Sequence, residues 1–346
     1  MANTKITNPE LFNLGDSTSA TQLPVMTTTE RIAMTGLSVG EMIFNSTTDK
    51  VEYFDGTKWY GINYDIPPTV QYLVVAGGGG TGTGTFSGGA GAGGYLESTT
   101  IVEKNTLIPV TVGLGGTGAT AGNTYSNVGV SNGQNSIFNT VTAVGGGFGS
   151  TYVKNSGSGG SGGGEAAQYT HQIGTGIPGQ GNDGGLGPGN TTGGGGGARN
   201  AGGNGNSSHG GDGGSGYSSL ILTPAMANSS GAGQVINSAS VWFSGGGAGS
   251  RGYSTLSGTG GDGGGGGIPV SSGFPINGMP NTGGGGGGGG QQAATTGGAS
   301  GGSGVVILRY SIDFTILTVG LTSTTFRDGF EDVTIITAGT GTVEFT

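Results

Sequence analysis

The sequence predicts a mainly β protein organised around an irregular glycine-rich lattice, polyglycine II-like, with little or no α-helix and a fibrous character. Three observations predict it. Nearly all of the 88 glycines fall between Gly77 and Gly304. The β-prone runs Tyr72 to Ala76 and Val305 to Tyr310 sit at the two ends of that tract like clasps. Apolar segments separated by turn formers occupy both flanks, from Gly40 to Ile62 and from Phe314 to Phe345.

Composition bounds the rest. Hydrophobic residues make up 32% of the 346, against about half in an ordinary globular chain, which argues against a single large apolar core. Charged residues are only 8%, too few for a typical disordered chain. The net charge is -9, and between Asn105 and Gly304 the basic residues are Lys154, Arg199 and Arg251, so nothing matches a row of phosphates and no nucleic-acid partner is expected. The chain has no cysteine, which removes disulfides and thiolate metal sites. Met1 to Lys5 is not followed by an apolar stretch, so release by lysis or within a particle is expected. No run approaches the ~18 apolar residues of a membrane span, and no membrane insertion is expected.

Residues 1 to 35 show isolated apolar anchors, among them Ile6, Leu11, Phe12 and Leu14, without a sustained period, and read as an extended arm that docks on something else. Residues 36 to 66 alternate apolar runs with turn formers, including Asp55-Gly56, and predict a small three-stranded meander. Phe44, Tyr53, Phe54 and Trp59 are its expected core, shared between copies because a meander of this size is marginal alone. Residues 67 to 310 form the glycine-rich domain, with strands expected at Ile108 to Gly113 and at Gln134 to Val144. Residues 311 to 346 read as a C-terminal β module with turns at Asp328-Gly329 and at Gly339 to Gly341.

Two readings compete for the glycine rows. A flexible linker is the default, since glycine has no side chain to bury and loses most backbone entropy on folding. The inserts between the rows argue for order, because they hold Tyr169, Tyr217, Trp242, Phe243, Tyr253 and Phe274. Rows in a left-handed conformation of three residues per turn have no internal hydrogen bonds, so they would pair with neighbouring rows wherever no Cβ intrudes. The irregular spacing excludes a fixed-period solenoid, and 11 prolines without a Gly-X-Y period exclude collagen.

No catalytic or metal site is expected, and no cofactor. His171 and His209 lack a carboxylate or second histidine at ligand spacing. The Asp-Gly-Gly sequences at Asp183, Asp212 and Asp262 never repeat with calcium-loop spacing, and turn-forming aspartates at row ends are the plainer reading. The protein is expected to be no enzyme.

The segment from Leu23 to Ile62, carried by Phe44-Asn45-Ser46-Thr47-Thr48-Asp49-Lys50 and Tyr53-Phe54-Asp55-Gly56-Thr57-Lys58-Trp59, resembles a module of tail-fibre and other virion proteins of tailed bacteriophages. The stretches "YLVVAGGGG" and "GAGAGGYLES" resemble the glycine-rich domains of phage adhesins. The resemblance implies a homotrimeric virion protein, docked through its N-terminus on another virion protein. It further implies loops that meet a host surface polysaccharide or outer-membrane protein, with Tyr169, Tyr217, Tyr253 and Phe274 as contact candidates. Two alternatives stay open: a head, neck or baseplate decoration without a receptor role, and a free glycine-rich binding protein such as an ice-binding slab.

Overall fold

The computed structural model describes residues 23–62, 67–84, 86–121, 128–151, 154–167, 172–251, 256–268, 274–289 and 297–346. The chain divides into two units, Met1–Ile66 and Pro67–Thr346.

In the first unit, β1 (Val25–Met26) leads into a short helix, α1 (Thr28–Ile32), followed by β2 (Met42–Asn45), β3 (Lys50–Phe54) and β4 (Trp59–Ile62), paired in the order β1-β2-β3-β4. The meander is the predicted one, but the helix is not. Thr27 and Glu30 close a capping box: Thr27 N donates to Glu30 Oε2 at 2.7 Å, and Glu30 N donates to Thr27 Oγ1 at 3.3 Å. Five residues are too few to leave a period, so only the caps in "TTTE" signalled it. The Asp55-Gly56 turn forms as expected, with the Asp55 carboxylate accepting from Thr57 N at 2.7 Å and Lys58 N at 2.8 Å.

The second unit is built on a sheet in the order β6-β5-β13-β15-β7-β8-β9, with β14 pairing β15. Its strands are β5 (Thr69–Val75), β6 (Tyr95–Ile101), β7 (Ile108–Thr111), β8 (Ser136–Phe138), β9 (Val141–Ala143), β13 (Val305–Ser311), β14 (Ile316–Asp328) and β15 (Glu331–Phe345). The two clasps are partners. β5 and β13 lie antiparallel in the register Val305↔Val75 to Arg309↔Gln71, so the glycine tract begins and ends at adjacent strands, and β6 to β9 return to the same sheet between them.

Both faces of these central strands are buried. One meets Val110, Phe138, Val343 and Phe345. The other is covered by α2 (Pro224–Ser230) and a three-stranded sheet of β10 (Tyr217–Ser219), β11 (Gln234–Ile236) and β12 (Ser240–Phe243), which supply Met226, Val241 and Phe243, with Ile221 from the β10–α2 connection. Strands buried on both faces read as continuous apolar runs, as "LVVA" and "VVIL" do.

The expected turn at Gly339 to Gly341 is not formed. β15 continues through it, and the register against β14 shifts between Val319 and Leu321 and again between Thr322 and Ser323. Gly339, at φ 110°, takes up the local distortion as a bulge and the strand goes on.

Candidate functional site: the outer end of a glycine lattice

The glycine rows form an ordered lattice. In the row 88–94 the backbone N–H groups turn through three neighbours with a period of three. Gly88, Gly91 and Gly94 donate to Ser150, Gly147 and Val144; Gly89 and Ala92 to Gly193 and Gly196; Ala90 and Gly93 to Gly286 and Gly283, all at 2.8–3.0 Å. That rotation is the signature of three residues per turn. The carbonyls of the same row accept from three other rows, through Gly79, Ser161, Gly164 and Gly247.

Close approach makes glycine necessary there. A Cβ built on Gly89 would overlap the Gly247 carbonyl, and one on Gly91 the Ser161 carbonyl. Neither residue has the positive φ that would call for glycine on conformational grounds. Backbone–backbone pairing thus satisfies groups that elsewhere would need a strand ladder.

The hydrogen bonds also give each row a direction. Rows leave the large sheet after β5, β7 and β9 and the three-stranded sheet after β12; they re-enter the large sheet at β6, β8 and β13 and the three-stranded sheet at β10. Residues 112–121 run alongside 76–84, with Gly116 N to Gly78 O and Ala119 N to Thr81 O, whereas 128–135 returns, with Ser131 N to Thr117 O and Gln134 N to Leu114 O. The same bookkeeping holds to the last row, where Gly302 N reaches Gly284 O. One set of turns, at 177–180, 198–201, 262–264 and 279–282, therefore lies near the sheet. The opposite set, including 187–190 and 206–209, lies at the outer end.

The outer-end turns are locally determined. Thr191 Oγ1 donates to Pro188 O at 2.7 Å, and Asn206 Oδ1 accepts from Ser208 N at 2.8 Å and His209 N at 2.9 Å. His209 is an exposed member of that turn. Asp183 and Asp212 are not at row ends as expected but lie within rows and tie them to a neighbour: Asp183 Oδ1 accepts from Gly176 N, and Asp212 Oδ1 from Thr259 N and Thr259 Oγ1. Among the described residues no group of three or more His, Asp or Glu is placed to hold a metal ion.

The contact candidates separate. Phe274, 41% exposed, begins a described row that runs back toward the sheet and so lies at the outer end. Tyr169 and Tyr253, like His171, fall outside the described residues; the rows before the first two, ending at Ala167 and Arg251, both run outward. Tyr217 is at the sheet end. It opens β10, pairs with Phe243 and packs on the Tyr95 ring at 5.4 Å. Beneath it Tyr95 Oη donates to Glu97, which also accepts from Ser219 Oγ at 2.9 Å. Burial first, and then the Glu97 carboxylate, push the Tyr95 hydroxyl far above its ordinary pKa, so it remains a donor. Trp242 is half-buried with Nε1 on Ser240 Oγ, and Phe243 is fully buried core.

Sequence reading passed over Leu186, Leu256 and Ile276, which are exposed near the outer end together with Phe274. Their signal was weak: isolated aliphatics beside row ends, without the aromatic character that drew notice to the inserts.

The expected meander core divides as well. Alternation along β3 and β4 puts Tyr53 and Tyr60 on one face, stacked at 5.6 Å, and Phe54 and Trp59 on the other, at 5.4 Å. Phe44 shares the Tyr53 side. The arm residues Ile6, Leu11, Phe12 and Leu14 fall outside the described residues.

A backbone-paired lattice rising from a β core defines a class of glycine-built scaffolds. Residues 57–311 match the family model described as a glycine-rich domain, and the chain belongs to that family. Residues 3–77 match the model of a phage tail like trimerisation region. That match supports self-association as a homotrimer and a phage tail-type structural protein, a component of the virion. No curated protein and no solved structure matches the chain. Among the described residues no helix is long and apolar enough to cross a membrane.

Proposed function

We propose that the chain is a tail-fibre adhesin that acts by binding and not by catalysis. It attaches to another virion protein through its N-terminal arm and offers the outer end of the glycine lattice to a host surface polysaccharide or outer-membrane protein. The observation that carries this reading is the direction of the rows: every second reversal lies at the outer end, away from the β core, over a backbone packing that does not depend on what the loops contain. Loops so placed vary without cost to the scaffold. Phe274, Leu256, Leu186 and Ile276 give this end exposed apolar contact area. Three copies multiply contacts that are weak singly.

The test is competition for adsorption. The purified full-length chain, mixed with host cells before the phage is added, is expected to block adsorption, and Phe274→Ala is expected to weaken the block by about tenfold. Tyr217→Ala, at the sheet end, is the control expected to compete like wild type. Adsorption that proceeds unchanged under saturating protein would reject the adhesin role and favour a decoration of the head, neck or baseplate.

A further inference from the structure

The first unit is built inside out for a monomer. On one face of the meander lie Ile43, Asn45, Glu52, Phe54 and Trp59, and α1 lies over its polar part. Arg31 Nη1 meets Glu52 Oε2 at 2.5 Å, Asn45 Nδ2 donates to Glu52 Oε1 at 3.0 Å, and Thr28 Oγ1 donates to Asn45 Oδ1 at 3.2 Å. Asn45 and Glu52 are buried in this network, 0% and 4% exposed. Such a face cannot open to admit a partner without stranding a buried charge.

The other face is apolar and open. The register lines up Met42, Tyr53 and Tyr60 in one cross-strand row and Phe44, Val51 and Ile62 in the next. Tyr53 and Tyr60 are each 39% exposed, and the other four are half-buried. At its rim Lys58 Nζ sits 4.7 Å from the Tyr60 ring. Among the described residues of this unit, Ile43 is the one fully buried hydrophobic side chain. Four short strands with one such residue have no core of their own, since a small sheet is stable only when a face is covered.

We infer that this open face, Met42, Phe44, Val51, Tyr53, Tyr60 and Ile62, is the three-fold seam, and that it is covered by the same face of two further copies. The inference rests on the homotrimer, which the trimerisation-region match supports, and that match spans every residue of the face. An uncharged face has nothing to distinguish a partner of complementary charge, whereas identical apolar faces converging on an axis satisfy one another. The division of the meander follows: the network under α1 holds each copy's strands in register, and the aromatic rows join the copies.

The absence of cysteine from the sequence makes the seam directly readable. In the full-length chain, Tyr60→Cys is expected to give covalent dimers on mild oxidation, two of every three copies joining across the axis, whereas Thr29→Cys on the exposed side of α1 stays unlinked. Val51→Glu is expected to raise the concentration at which trimers dissociate by about 30-fold or more, as for the loss of a central hot spot, while Thr29→Glu leaves it unchanged. The mild Tyr60→Cys change keeps the test valid if Val51→Glu unfolds the meander. A wild-type chain that is monomeric by native mass would reject the homotrimer itself. A trimer that survives Val51→Glu, with Tyr60→Cys unlinked, would leave the homotrimer standing and overturn the seam; the face would then be covered by residues 1–22 or by a different protein.

Discussion

In the C-terminal unit the glycine lattice and the β core beneath it solve one problem by opposite means. Both must satisfy buried backbone groups without water. The core does so with strand ladders and seals them with Val, Ile, Leu and Phe on both faces of β5, β13 and β15. The lattice removes the side chains, so that each row comes close enough to its neighbours for every third amide to reach the same one. Stability in the core is therefore carried by side-chain burial, and in the lattice by the exclusion of Cβ atoms. Tolerance to substitution is expected to invert between them: adding carbon breaks the lattice, and removing carbon weakens the core.

The largest effect expected from this contrast is at the centre of the lattice. Gly91→Val places its side chain into the Ser161 carbonyl, backbone that cannot rotate away, and is expected to cost more than about 4 kcal/mol, enough to abolish soluble folded protein. A Gly91→Val chain that melts close to wild type in calorimetry would break the comparison. Below it comes the core. Leu308→Ala, at a fully buried position of β13, is expected to cost about 2–5 kcal/mol. Since β13 is also where the lattice closes against β5, lattice and core are expected to melt in one transition in that variant. Two separate transitions would show that the rows hold themselves together without the clasps.

The smallest effect sharpens the contrast by charge. Among the described residues the carboxylates whose pKa values are held low lie in the first unit. There, burial disfavours the Glu52 carboxylate, but hydrogen bonds from Arg31, Asn45 and Thr48 outweigh it and hold its pKa below the ordinary value. Backbone N–H donation from Lys58, with Thr57, brings Asp55 down to about 2. Carboxylates with depressed folded pKa values contribute stability above their ordinary pKa and lose it as pH falls through the folded one. Lowering the pH from about 5 to about 2 is therefore expected to loosen the meander first. Trp59 fluorescence would report this, against far-UV circular dichroism for the second unit; a meander signal unchanged at pH 2 would deny these carboxylates their role.

Much of this was legible in the sequence, element by element. The meander followed from "MIFN", "KVEYF" and "WYGI" between turn formers, and β7, β8 and β9 from short alternating segments. The rows were legible because only close backbone packing makes use of so many consecutive glycines alongside apolar inserts. The cover of β10, α2, β11 and β12 was hidden within one long insert, although Thr223 and Pro224 at the helix start and Gly231 at its end, with φ 68°, carry ordinary cap chemistry. The outer-end aliphatics were missed because a lone Leu186 or Ile276 carries no pattern until the rows have directions.

By itself the sequence determined the meander, the two clasps, β7 to β9 and the glycine rows, because alternation, turn chemistry and the absence of Cβ atoms act locally along the chain. Only the tertiary structure decided which row lies beside which, that the two clasps pair, that Tyr217 and Phe274 face opposite ends, and that the meander turns Tyr53 and Trp59 to opposite faces. Glycine rows carry no side chains with which to specify a neighbour. Their positions come from the strands that launch and receive them, and so from contacts between residues far apart in the chain.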